Sequence, residues 1–412
     1  MISKTDIERA CLAIRSHIVR TPTIHSQTLS RLCGCRLLFK LENFQMTGSF
    51  KDRGALNRLL ALSPAEKERG VMAASAGNHA QAVAYHCHRL GLQAKIVMPV
   101  NSPLIKVLST QNYGAQVILH GETVTEAMDL AWEISRKENL TFIHPFDDPL
   151  VIAGQGTILP EILEEESARD LEAIVCPIGG GGLISGMATY LKETHPRIQL
   201  IGVVAAACPA MKNTLREKTL VQLDSCASLA DGIAVKKVSP RTLAIVQKYV
   251  DEVVEVEEDE IANAILLLLE IEKVVAEGAG AVSLAALLNR KVHLEGKKVL
   301  AVISGGNIDV NILDRIITRG LAVEGRAVRV TVRLKDLPGS LMGALGIIKK
   351  LHANVLDILH HRHDSPAPFG YVDVSITLET RGHAHIAEIK KALEEGGYLV
   401  CESQCFPPKP KL

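Results

Sequence analysis

At 412 residues the chain is long enough for two or three domains, and 47% hydrophobic but only 3% aromatic content means cores of Ala, Val, Leu and Ile. Lys plus Arg and Asp plus Glu are equal at 46 each, which excludes the basic footprint of a protein that binds nucleic acid or an acidic membrane. No stretch has the length and freedom from charge of a membrane span, and the opening MISKTDIERACLAIR mixes both charge signs without the apolar centre of a signal peptide.

From residue 54 to 146 the pattern alternates between helix and strand. A helix ends near Leu62, GVMAAS (70–75) reads as a strand, and a helix runs through AQAVAYHCHRLG. Strand AKIVMPV (94–100), helix IKVLSTQNYG, strand AQVILHG, helix TVTEAMDLAWEISRKEN and strand TFIHPF follow. A second series runs from LEAIVCPIG (171–179) through LIGVVAAA (200–207) to KKVLAVISGG (297–306), with AILLLLEI (264–271) as a buried helix between the last two. Strands separated by helices predict βαβ units and mostly parallel sheets, here as two doubly wound lobes.

After Arg319-Gly320 the style changes. VRVTVRLKD (328–336) alternates as a strand, and PGSLMGALGIIKKLHAN (338–354) reads as a helix opened by Pro338. VLDILHHRH, FGYVDVSITLET, helix HIAEIKKALEEGG and strand YLVCES complete a ferredoxin-like βαββαβ order, and PPKPKL reads as an extended tail. The predicted domains are thus 1–320, a linker 321–327, and 328–403, with a small lobe of about 53–150 inserted in the large one. HHRHD (360–364) puts His361 and His363 on one strand face and His360 on the other, so no three-ligand metal site is expected. Nine cysteines, odd in number and without framework spacing, are read as free thiols of a reducing cytosol, and the chain as cytoplasmic.

Four segments carry chemistry. CPIGGGGLISG (176–186) joins a buried strand to a helix, which aims backbone amides at an anion such as a phosphate. It fits neither G-x-G-x-x-G nor a Walker loop, and LIGVVAAA lacks an acid to hold a ribose, so a phosphomonoester is expected and not a dinucleotide. SAGNHAQ (75–81) and SGGN (304–307) also follow strands, where open α/β sheets collect ligands. TGSFKDRGA (47–55) sets Lys51 between Phe50 and Asp52, and a lysine that attacks a carbonyl needs a dry, shaped surrounding.

In order and spacing these segments resemble the pyridoxal-phosphate β-eliminating family that includes threonine dehydratase and serine racemase. KLENFQMTGSFKDRGA (40–55), RTPTIHSQTLS (20–30) and SLADGIAV (228–235) share the likeness, which covers about residues 5 to 320. The resemblance implies the tryptophan-synthase-β-like (fold type II) architecture. It implies that Lys51 holds pyridoxal 5′-phosphate covalently, with Phe50 packed near the ring. Gly179, Gly180, Gly181 and Gly182 with Leu183 would hold the phosphate, Asn78 the ring hydroxyl, and Ser304 the pyridine nitrogen. Ser75, Ala76, Gly77, Asn78 and His79 would bind the substrate carboxylate through their amides.

The expected reaction is elimination of water from L-threonine and, more slowly, L-serine, with Lys51 taking the α-proton. Two rivals stay open: a dehydratase preferring serine or another β-hydroxy amino acid, and a non-catalytic amino-acid sensor. Racemases of the family carry serine where this chain has Ala76, and serine racemase has acids where VVAAACPAMK (203–212) has none, so little racemisation and no metal are expected. DLPGSL resembles the ligand turn of ACT domains, which implies an amino-acid effector at Asp336, Pro338, Gly339, Ser340 and Leu341. One such copy implies a medium-length threonine dehydratase, and kin imply a homodimer or homotetramer.

Overall fold

The computed structural model describes residues 2–362 and 366–401, which divide into two compact units, Met1–Asp309 and Val310–Leu412. The first contains strands β1 (Thr23–His25), β2 (Arg36–Leu41), β3 (Val71–Ala74), β4 (Ala94–Met98) and β5 (Gln116–Leu119). It continues with β6 (Thr141–Phe142), β7 (Ala173–Pro177), β8 (Gln199–Ala205), β9 (Glu252–Val256) and β10 (Lys298–Ile303). A six-stranded sheet has the order β1-β2-β10-β7-β8-β9, parallel except for β1 at its edge. A four-stranded parallel sheet has the order β5-β4-β3-β6.

The chain leaves the large sheet after β2, builds the whole small sheet, and returns at β7. Strands β7 and β10 are near-continuous apolar runs because helices cover both faces of a parallel sheet. Ile174, Cys176, Leu200, Leu300 and Val302 share one core with Ile184, Met187 and Leu191 of the helix Gly182–Thr194. The small lobe has its own core, in which Val71, Ala73, Ile96 and Met98 meet Ala80, Val83 and Ala84. Strand order changes direction at β10 and β7, which makes these neighbours the switch point of the sheet.

Three strands, β1, β2 and β9, are absent from the sequence reading. Strand β1 spans only three residues, and β9 alternates apolar residues with Glu252 and Glu255. The cysteine reading needs correction: Cys208 and Cys226 form a disulfide, with Cα atoms 5.1 Å apart. They are 18 residues apart and lie on either side of the helix Ala210–Glu217.

The second unit opens with the helix Val310–Val323. It continues with β11 (Ala327–Lys335), the helix Ser340–Lys350, β12 (Asn354–His361), β13 (Tyr371–Glu379), the helix His383–Glu395 and β14 (Leu399–Cys401). The antiparallel sheet order is β12-β13-β11-β14, the βαββαβ arrangement. Val330, Val332, Leu334, Val374, Ile376 and Leu378 form one sheet face, which packs on Ala344, Ile348, Ile389 and Leu393 of the helices. The alternate residues of β11 and β13 pair across the strands, as in Thr331–Ser375 and Arg333–Asp373. The helix starts at Ser340 and not at Pro338, because Gly339 turns the chain with a φ of 85°.

Candidate active site

The segment around Lys51 is fixed before any ligand arrives. Asp52 is fully buried, and its Oδ2 accepts from the Thr47 amide at 2.8 Å and the Thr47 hydroxyl at 3.0 Å. Its Oδ1 meets His86 Nε2 at 2.9 Å. Two backbone bonds tie the same loop to the end of β10: Phe50 N donates to Ser304 O at 3.0 Å, and Gly306 N to Gly48 O at 2.9 Å. Below it the buried Arg53 guanidinium bridges Glu42 and Glu161, each at 2.8 Å. Lys51 therefore sits between Phe50 and Asp52 because the acid anchors the loop and the aromatic side packs into the core.

Lys51 begins the helix Lys51–Leu60, and its Nζ donates to Pro145 O at 2.9 Å and lies 5.1 Å from the Phe50 ring centroid. Burial pushes its pKa down to about 8, against the opposing pull of Glu277. Glu277 is 3% exposed, and burial beside Asp231 pushes its carboxyl up to about 7. Its Oε1 accepts from Asn78 Nδ2 at 2.6 Å, while Asn78 Oδ1 accepts from Asn307 Nδ2 at 2.8 Å. Both polar atoms of the Asn78 amide are thereby oriented.

The glycine loop runs from Gly179 to the start of the helix Gly182–Thr194, whose cap residue Gly181 has a φ of 89°. No side chain among the described residues caps that first turn, so its amides stay open to an anion. The Ser185 hydroxyl in the same turn is buried with no partner among the described residues. These features fit a phosphate. Gly180 also has a packing role: a Cβ there would lie 2.4 Å from the Phe146 ring.

A cleft of about 600 Å³ brings together Lys51, Ser75, Ala76, Gly77, Asn78, His79, Gly180 and Glu277. Phe50, Gly179, Gly181, Gly182, Leu183 and Ser304 do not line it; Ser304 is buried, with its hydroxyl donating to Ala279 O at 3.3 Å. The helix Asn78–Leu90 is also uncapped by a side chain, leaving the amides after Gly77 open to a carboxylate. The His79 ring is turned away to Ile143 O at 2.9 Å, and burial beside Lys51 pushes its pKa down to about 3. It is neutral and packed, so its contribution to the cleft is its backbone amide.

Sequence reasoning missed Glu277, Lys106 and Pro145. Glu277 had a visible signal, as the one charged residue in VVAEGAGAVSLAALL (274–288). Pro145 had none, since it acts through its carbonyl. In the 203–212 stretch, Lys212 pairs with Glu255 at 3.1 Å, and among the described residues no cluster of His, Cys, Asp or Glu is arranged to hold a metal. His363 and the PPKPKL tail lie outside the described residues. In the second unit, the turn Asp336 to Leu341 joins β11 to its helix, and the Asp336 carboxylate is held by Arg362 at 3.2 Å.

Comparison with known proteins agrees with this geometry. The family of pyridoxal-phosphate dependent enzymes matches residues 14–305. The L-threonine ammonia-lyase of Thermotoga maritima is 48% identical over 400 residues, 97% of this chain and 99% of that one. The processed form of threonine deaminase isoform 2 from Solanum lycopersicum superposes with a TM-score of 0.71 at 37% identity, over 76% of this chain and 92% of that one. Serine racemase from Dictyostelium discoideum gives 0.70 at 34% identity, over 75% and 99%. A fold type II catalytic unit, a cleft built around a dry lysine and these likenesses together place the chain in the pyridoxal-phosphate dependent enzyme family, among the relatives of the L-threonine ammonia-lyases.

Proposed function

We propose that the chain is an L-threonine ammonia-lyase that uses pyridoxal 5′-phosphate to release 2-oxobutanoate and ammonia from L-threonine. One observation carries the reading: Lys51, the loop Ser75 to His79 that opens the helix Asn78–Leu90, and Gly180 of the glycine loop line one cleft. The extent of the likeness to an L-threonine ammonia-lyase, 97% of this chain, supports the choice of substrate.

Lys51 would hold the cofactor covalently, the Gly179–Gly182 loop with Leu183 its phosphate, Asn78 its ring hydroxyl and Ser304 its ring nitrogen, with Phe50 against the ring. The bound cofactor supplies an electron sink that makes the substrate Cα proton acidic. The amides of Ser75 to His79 hold the substrate carboxylate and fix the Cα–H bond towards Lys51. With a pKa near 8, Lys51 has a neutral fraction at neutral pH and takes the Cα proton. The Cβ–O bond then breaks as the proton held by Lys51 passes to the departing hydroxyl, water leaves, and the released enamine hydrolyses to 2-oxobutanoate and ammonia.

Neutral His79 and the methyl of Ala76 offer no acid to the opposite face of Cα, which favours elimination over racemisation. L-Serine, one methyl smaller, is the slower substrate; a methyl changes selectivity by roughly 10–200-fold. The βαββαβ unit is read as an ACT domain that binds an amino-acid effector at Asp336, Pro338, Gly339, Ser340 and Leu341, and the assembly as a homodimer or homotetramer.

Borohydride reduction of the cofactor-loaded protein, followed by peptide mass mapping, tests the anchor. The cofactor mass is expected on the peptide containing Lys51. Its recovery on any other lysine contradicts the assignment.

A further inference from the structure

The helix Leu104–Asn112 reverses the usual order of burial. Leu104 and Ile105 are 71% and 59% exposed, while Lys106 between them and Val107 is 7% exposed and turned into the cleft. A lysine takes an interior position over neighbouring leucines only where a partner offsets the loss of water. Its partner is Asp231, at 2.5 Å, which opens the 3-10 turn Asp231–Ile233 between the helices Ala210–Glu217 and Pro240–Tyr249 of the other lobe.

The pair is asymmetric. The Lys106 side chain is 9% exposed and that of Asp231 is 55%, so the acid can turn to solvent and the lysine cannot. Burial works against the Lys106 charge, but Asp231, Glu277 and Asp309 together outweigh it and the pKa is raised; the ammonium stays charged at neutral pH. Its Nζ would lie 3.7 Å from a Cβ on Gly77, which sets a fixed positive charge against the loop Ser75 to His79. Gly77 N is turned inward within that loop, donating to the Ser75 hydroxyl at 3.2 Å, and the amides that follow it are uncapped.

We propose that Lys106 is a substrate-binding residue: its ammonium takes the α-carboxylate of the amino acid together with the loop amides, and Asp231 is the surrogate carboxylate that holds Lys106 in place between turnovers. The inference rests on the cofactor-site reading above and adds to it a charge–charge contact that selects amino acids over uncharged derivatives. The arriving carboxylate displaces one carboxylate with another, so Lys106 is never left buried without a counter-charge. No bond is made or broken in this exchange.

The experiment uses the cofactor-loaded full chain and reads binding from cofactor absorbance. The probes are L-2-aminobutyrate, which has no β-hydroxyl to lose, and its carboxamide, which has no negative charge. For Lys106→Met the Kd of the acid is expected to rise roughly 10–100-fold, the range for a lost charge-assisted bond, while that of the carboxamide stays within about twofold. Lys106→Arg should keep most of the preference for the acid. Asp231→Asn removes the competitor, so it should bind the acid as tightly as wild type or more tightly.

Equal losses for acid and carboxamide in Lys106→Met would overturn the proposal. So would an Asp231→Asn variant that weakens acid binding as much as Lys106→Met does, because the pair would then be a clasp between lobes. Wild-type absorbance that ignores the acid would instead overturn the cofactor-site reading, and this inference with it.

Discussion

At the scale of single residues, Lys51 and Glu277 set the electrostatics of the cleft. Burial lowers the Lys51 pKa to about 8, and the Glu277 charge acts in the opposite direction. In cofactor-free protein, amine modification at Lys51 should therefore show a midpoint near pH 8, well below an ordinary lysine. Glu277→Gln removes the opposing charge, so the midpoint should move further down. A wild-type midpoint above pH 10, or an upward move in the variant, would contradict this balance. Asp52 offers a stability test, since it satisfies both Thr47 donors and His86 in a buried site. Asp52→Ala leaves those groups unpaired and should cost about 3 kcal/mol or more in denaturant unfolding, with loss of cofactor retention.

At the scale of elements, the site is built from strand-to-helix turns, and glycine serves two ends in them. Gly180→Ala puts a methyl into the Phe146 ring and should destabilise by about 1–3 kcal/mol. Phe146→Ala in the same chain should recover part of that loss; no recovery would mean that the ring is not the obstacle. Asn78 and the glycine loop were legible because each sits in a short motif just after a run of buried apolar residues, and Lys51 because it sits within TGSFKDRGA. Lys106 was not, because its flanks in PLIKVL read as an ordinary helix and only its tertiary partner, Asp231, marks it. Strand β1 was hidden for a similar reason: three residues carry too little pattern to show their pairing with β2.

At the scale of the whole molecule, the residues assigned to catalysis lie in the unit Met1–Asp309, and the turn proposed to bind an effector lies in the unit beginning at Val310. Alternating helix and strand patterns made both lobes and the βαββαβ order readable. The break at Val310 was not, because the helix Val310–Val323 continues the catalytic segment without a composition shift. The disulfide was hidden as well, since free and paired cysteines look alike in sequence. Denatured, unreduced protein should titrate two thiols fewer than its nine cysteines. The regulatory reading predicts that isoleucine or valine shifts the threonine saturation curve of the full chain. Unchanged kinetics with every branched-chain amino acid would remove it.

The central claim is elimination from L-threonine at Lys51. Its most direct test is 2-oxobutanoate formation by cofactor-loaded wild type and Lys51→Ala protein, assayed side by side with L-threonine. Steady product from the wild type and none above background from the variant is the expected result. Comparable product from both, or none from a wild type that holds its cofactor on Lys51, would contradict it.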